Sequence, residues 1–139
     1  YPQNTDNILT AKLVNTIDFH PDYDNSDINR ISAGDISSDG MEILIKSYVN
    51  IFHFPRYNNQ TVGEAFNNIM TTVKYIPEPQ GEAIGWHPDS HGYFTISEEK
   101  HSISAQLYFY PRTVGCMDQN ATNYNPYAKV DTQGCEYKK

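Results

Sequence analysis

The sequence predicts a mainly β fold, and three observations carry that expectation. Apolar residues alternate with polar ones over short runs, as strands with one buried face require. Turn-forming residues separate those runs, and one segment alone shifts to helical spacing. The third observation is internal: the order of strands and turns in residues 30–56 returns in residues 80–112.

Along the chain, Ile8–Phe19 alternates and reads as the first strand. With its polar lead, YPQNTDNILTAKLVNTIDF reads as an arm able to complete a neighbour's sheet, and equally as a frayed terminus before an ordinary outer strand. Ile31–Ser37 and Met41–Asn50 flank Ser38-Asp39-Gly40, where Asp supplies a local hydrogen bond and Gly a positive φ for a hairpin. Asn50–Phe54 follows as a strand. In TVGEAFNNIMTTV, the residues Val62, Ala65, Phe66, Ile69 and Met70 form one apolar helical stripe, and Thr61 with Glu64 makes a capping box that starts the helix. The later strands are Val73–Ile76, Glu82–His87, Tyr93–Ser97 and Gln106–Tyr110, with a hairpin turn at Pro88-Asp89-Ser90-His91-Gly92.

Self-comparison adds a period. Asp39 and Asp89 lie 50 residues apart, and Pro55-Arg56 and Pro111-Arg112 lie 56 apart. A repeat near this length belongs to propeller blades, although two unrelated antiparallel hairpins also look alike. ISAGDISSDGMEILIKSYVNIFHF and PEPQGEAIGWHPDSHGYFTISE resemble consecutive blades of secreted bacterial β-propellers related to the esterase-like phytase and SdiA-regulated groups, over roughly residues 30–112. Lys46-Ser47-Tyr48 stands where that family often has an Arg, and Asp89-Ser90-His91-Gly92 expands its Asp-Gly turn. The resemblance implies a blade-like domain over residues 1–112 and a separate module over residues 113–139. A closed propeller takes about four to eight blades. Two blades leave edges unpaired, so the expectation is a chain that associates with itself or belongs to something larger.

Composition limits the partners. Ten Lys/Arg against 17 Asp/Glu give a net charge of −7 without a basic cluster, which argues against nucleic acid and anionic membranes. No apolar run approaches the length of a bilayer span. The 139-residue chain opens on Tyr1 rather than Met, which suggests a processed product, and its 11 Tyr and two Cys suit a secreted one.

Both cysteines lie in GCMDQNATNYNPYAKVDTQGCEY. Cys116 and Cys135 enclose a loop short enough to close as a disulfide, the other reading being two buried free thiols. Asp118, Asn120, Asn123, Asn125 and Asp131 between them are hard oxygen donors of the kind calcium selects. The stretch resembles Asx-rich, Cys-bounded modules of secreted adhesive proteins, themselves similar to thrombospondin type 3 calcium loops. That resemblance supports the disulfide and implies calcium, but Thr132 replaces the usual second acidic residue. Two readings stand here, a calcium site and a metal-free loop shaped by Asx-turns. Asn59 and Asn120 begin N-x-Thr sequons, and Asn120 serves either a glycan or a metal.

His87 and His91 bracket Asp89 on one turn, but two ligands on a loop make no zinc site. His20, His53 and His101 have no partner at recognisable spacing. Asp35, Glu82, His87 and Glu98 are the candidates for catalysis, and the resembled propellers place calcium-binding acids near inner strand ends, which implies a relic role for Asp35 and Glu82. No nucleophile elbow, metalloprotease helix, phosphate loop or Cys/His dyad supports an enzyme. The sequence therefore points to an extracellular, non-enzymatic structural or adhesive protein that assembles into a ring or filament through sheet edges and its terminal arm. The alternatives are the C-terminal part of a larger propeller hydrolase or phosphoesterase-like enzyme, and a carbohydrate or surface-recognition module.

Overall fold

The computed structural model describes residues 10–19, 30–100, 102–126, 128–131 and 133–138. It is mainly β. Four antiparallel strands form a first sheet in the order β1 (Ile31–Ile36), β2 (Glu42–Ser47), β3 (Ile51–Pro55) and β4 (Thr71–Val73). A second antiparallel sheet holds β5 (Gly81–Trp86), β6 (Gly92–Ser97) and β7 (Leu107–Pro111). One short helix, α1 (Val62–Ala65), lies between β3 and β4. In the C-terminal module, β8 (Val114–Gly115) and β9 (Val130–Asp131) pair in parallel, and Cys116 and Cys135 form a disulfide.

The repeat is physical as well as textual. Register shifts fall between Ile31 and Ala33 in one sheet and between Gly81 and Ala83 in the other. The Ser37 N–H donates to the Glu42 carbonyl and the His87 N–H to the Gly92 carbonyl, each at 2.9 Å. Gly40 and Ser90 both take positive φ, 73° and 56°, at the same place in their turns. The recurrent Pro-Arg pairs then explain themselves. Arg56 Nη1 donates to the Gly40 carbonyl at 2.7 Å and Arg112 Nη1 to the Ser90 carbonyl at 3.4 Å, so each Arg ties the end of a third strand to its own hairpin turn.

β1 and β5 run side by side in the same direction, bridged by side chains rather than by a ladder. Ser32 Oγ donates to the Gly81 carbonyl (2.9 Å), the Asp35 carboxylate accepts the Trp86 N–H (2.7 Å), and Ser38 Oγ donates to the Pro88 carbonyl (2.7 Å). Strand alternation assigns the first sheet two buried faces. On one, Ile43, Phe52 and Phe54 meet Phe19 and Ala65, with Ile17 and Phe66 at the margin. On the other, Leu44 and Ile51 meet Ile84, Trp86, Tyr93 and Tyr110 of the second sheet.

Three expected elements are corrected. The predicted strand Ile8–Phe19 is absent over residues 10–19, which run without regular pairing, while Ile8 lies outside the described residues. These residues cover a sheet face instead of joining an edge: the Phe19 ring sits 4.5 Å from that of Phe52, and Asn15 Nδ2 donates to the Gly63 carbonyl at 2.7 Å. The helix begins as predicted, with both arms of the Thr61–Glu64 capping box formed, but it ends at Ala65. Beyond it Asn68 Nδ2 donates to the Pro55 carbonyl and to Gln60 Oε1, which anchors the chain to the end of β3, and Ile69 is exposed. β4 pairs two residues earlier than the predicted Val73–Ile76 strand.

Candidate functional site

Between the two sheets, at the end where β2 and β6 begin, lies a cleft of about 680 Å³. Its first wall is the inward face of β2 and β3, where antiparallel register sets Glu42 opposite Pro55 and His53 opposite both Leu44 and Thr71. The other wall comes from the cross-strand pair Trp86 and Tyr93, whose rings meet edge to face, with Arg112 just beyond β7. Lys74, after β4, and Lys129, before β9, stand at its rim.

One carboxylate organises the polar side of this cleft. Glu42 accepts from Arg112 Nη1 at 2.9 Å and contacts His53 Nε2 at 2.8 Å. Partial burial opposes its charge, but the hydrogen bonds from His53 and Arg112 outweigh that and hold the carboxyl below its ordinary range. Arg112 also lies over the Trp86 ring, 5.2 Å from its centre, and donates from Nη2 to the Lys129 carbonyl at 2.8 Å. A single guanidinium thus joins both sheets and the C-terminal module.

Deeper between the sheets is a second polar cluster. Lys46 is fully buried on β2, donating from Nζ to the Gly81 carbonyl (2.8 Å) and the Ser47 carbonyl (3.2 Å), 4.5 Å from the Tyr75 ring centre. Burial pulls its ammonium down to about 8, against the partial support of Glu78 and Glu82. Gly81 leaves the room here, because a Cβ there would meet the Lys46 ammonium and the Tyr75 hydroxyl unless those side chains shifted. Glu78 hydrogen-bonds Thr95 Oγ1 through Oε1, while its Oε2 is buried without a hydrogen-bond partner.

The catalytic candidates are not brought together. Asp35 is spent on backbone N–H groups of Ile36 and Trp86, and Glu82 accepts the Tyr48 hydroxyl at 2.9 Å. The rings of His87 and His91 stack 6.2 Å apart, and the Asp89 N–H donates to His87 Nδ1 at 3.2 Å, within their own turn. Glu98 continues the second sheet through its N–H to the Gln80 carbonyl. His20 and His101 lie outside the described residues. Sequence reading passed over Glu42, Lys46 and His53 as partners, since each sits singly in a strand and only sheet pairing unites them. Arg112 had a visible signal in the repeated Pro-Arg pair.

In the C-terminal module, the proposed calcium ligands serve the loop itself. Asp118 Oδ1 accepts from the backbone and side chain of Asn120, and Oδ2 accepts the Tyr137 hydroxyl at 2.7 Å. These bonds lower the Asp118 carboxyl and raise the Tyr137 phenol. Asn123 exchanges hydrogen bonds with Glu136 and Gly134, Asn125 Nδ2 donates to the Val114 carbonyl at 3.5 Å, and Asp131 Oδ1 accepts from Gln133 at 2.9 Å. The described residues contain no group of three His, Cys, Asp or Glu placed to hold a metal, and the loop's Asx oxygens accept from its own N–H groups, as in Asx-turns. Thr132 lies outside the described residues. Both sequon asparagines are exposed, Asn59 in a turn at φ 69° and Asn120 with its amide donating to Asp118.

The outward face of the second sheet is apolar. Its cross-strand pairs are Phe94 with Phe109 and Ile96 with Leu107, and Ile96, Leu107 and Phe109 are 39%, 66% and 45% exposed. Their repeat equivalents on the first sheet, Lys46, Ile51 and His53, face the second sheet. No family model, curated protein or solved structure matches the chain.

Proposed function

We propose that this is an extracellular structural or adhesive protein that associates with a second copy of itself through the open face and outer edge of the second sheet. The observation that carries the reading is the repeat equivalence of faces: Ile51 is completely buried against the second sheet, whereas Leu107, in the same position one repeat later, is 66% exposed. Exposed apolar sheet faces with free edges are association surfaces. In this reading the disulfide-closed module acts as a staple beside the end of β7, and Asn59 and Asn120 offer attachment points for glycans. The polar clusters serve structure rather than catalysis.

Sedimentation velocity across a wide concentration range tests the proposal. Association should grow with concentration, and Leu107→Asp combined with Phe109→Asp should abolish it. A compact monomer at every concentration refutes self-association and favours the second reading, that the open face receives a further sheet of a longer propeller-like chain. The repeat of turns and bulges at a 50-residue spacing is what recommends that alternative.

A further inference from the structure

The cleft between the sheets carries a local surplus of positive charge in an acidic chain. It is lined by Arg112, Lys74 and Lys129 but by only one acid, Glu42, in a chain with ten basic and 17 acidic residues. Arg112 and Glu42 neutralise one another at 2.9 Å. The surplus therefore sits on Lys74 and Lys129, which form no ion pair among the described residues and stand exposed at the rim. Between them the walls offer ring and aliphatic surface from Trp86, Val73 and the two prolines, Pro55 and Pro111, with hydroxyls at Thr71 and Thr113. The volume, about 680 Å³, lies in the range of small-molecule sites.

We infer that this cleft binds an anionic saccharide of one or two rings. Its acidic group would meet the Lys74 and Lys129 ammoniums, its hydroxyls the threonines, and its apolar ring face the walls. Arg112 and Glu42 hold those walls at fixed separation, because their ion pair spans from β2 to the residue after β7. This site is separate from the outward face of the second sheet, so its occupancy and self-association stand or fall independently.

Trp86 is the only tryptophan in the chain and lines the cleft, so tryptophan emission, excited selectively over the 11 tyrosines, reports on the site. The intact protein is titrated with a glucuronate-containing disaccharide, with glucose 6-phosphate, and with neutral cellobiose, at low salt. A saturable change with either anion and none with cellobiose is expected, and the two anions separate carboxylate from phosphate recognition. Lys74→Glu with Lys129→Glu, both exposed and remote from the core, should weaken the binding about tenfold or more, and added salt should weaken it in wild type. No saturable change with either anion, an equal response to cellobiose, or affinity unaffected by the double substitution overturns the inference.

Discussion

Burying Lys46 should leave a signature in the pH dependence of stability. Its ammonium falls from an ordinary 10.5 to about 8 in the folded protein. Between those values the unfolded chain binds the proton and the folded chain does not, so stability rises with pH through that window. Below pH 8 the fold bears the full cost of a buried charge, and above 10.5 that cost is gone. At about 1.36 kcal/mol per pH unit, the difference amounts to roughly 3 kcal/mol, of which about 2 kcal/mol should be regained by pH 9.5. The assay is urea unfolding at intervals from pH 7 to 9.5, comparing wild type with Lys46→Met. That range stops short of Tyr75 and Tyr93, which burial raises to about 12 and whose effect has the opposite sign, lowering stability above pH 10. The only two cysteines are bonded to each other, so thiol exchange does not intrude. The stability difference, wild type minus variant, should climb with pH. A flat or falling difference refutes the reasoning and returns Lys46 to an ordinary charged state, solvated by its carbonyl partners.

Arg112→Gln should cost about 2 kcal/mol, the usual loss when a charged hydrogen bond leaves a half-buried carboxylate with one partner fewer, and Arg112→Lys should recover little because one ammonium cannot reach Glu42, Ser90 and Lys129 together; chemical denaturation of the three proteins measures both. Reducing the Cys116–Cys135 bond, which spans 19 positions, should destabilise the C-terminal module by about 3 kcal/mol on the chain-entropy account, seen as new protease cleavage within residues 113–139 while the sheets stay intact. Calcium and chelator should give the same melting temperature within about 1 °C, since the loop's oxygens already accept its own N–H groups; a calcium-dependent rise of several degrees would restore the metal reading.

Much of the fold was legible because local chemistry determines it. The turns at Asp39 and Asp89, the capping box at Thr61 and most strand cores follow from residue type and period two, and the structure forms them. What stayed hidden depends on contacts distant in the chain. Ile17 and Phe19 alternate as a strand would, yet their apolar side chains are buried by covering a sheet face, a choice that periodicity cannot distinguish. The helix ends before Ile69 and Met70 of the apolar stripe, and Asn68 is anchored to Pro55 and Gln60, partners that no helical wheel contains. The burial of Lys46 depends on Gly81, 35 residues later, leaving room for its ammonium. The cleft was illegible for the same reason: Glu42 and Arg112 are 70 residues apart and meet only when two repeats stack.

The stacking also assigns different fates to the two ends of the unit. If each sheet presents one face to its predecessor and the other to its successor, the first sheet's outer face should await a neighbour as the second sheet's does. It does not wait, because Ile17, Phe19, Ala65 and Phe66 already occupy the surface that Tyr93 and Tyr110 offer one repeat later. A second copy arriving at Leu107 and Phe109 therefore has two courses. It can meet them with its own Leu107 and Phe109, an isologous contact that closes at a dimer, or it can displace the cover at Phe19 and meet them with Phe52 and Phe54, a heterologous contact that propagates into a ring or filament. Displacement forfeits the Phe19 packing and the Asn15–Gly63 hydrogen bond, so the closed dimer costs less, and growth beyond it requires that the covering segment find an equal burial elsewhere in the assembly.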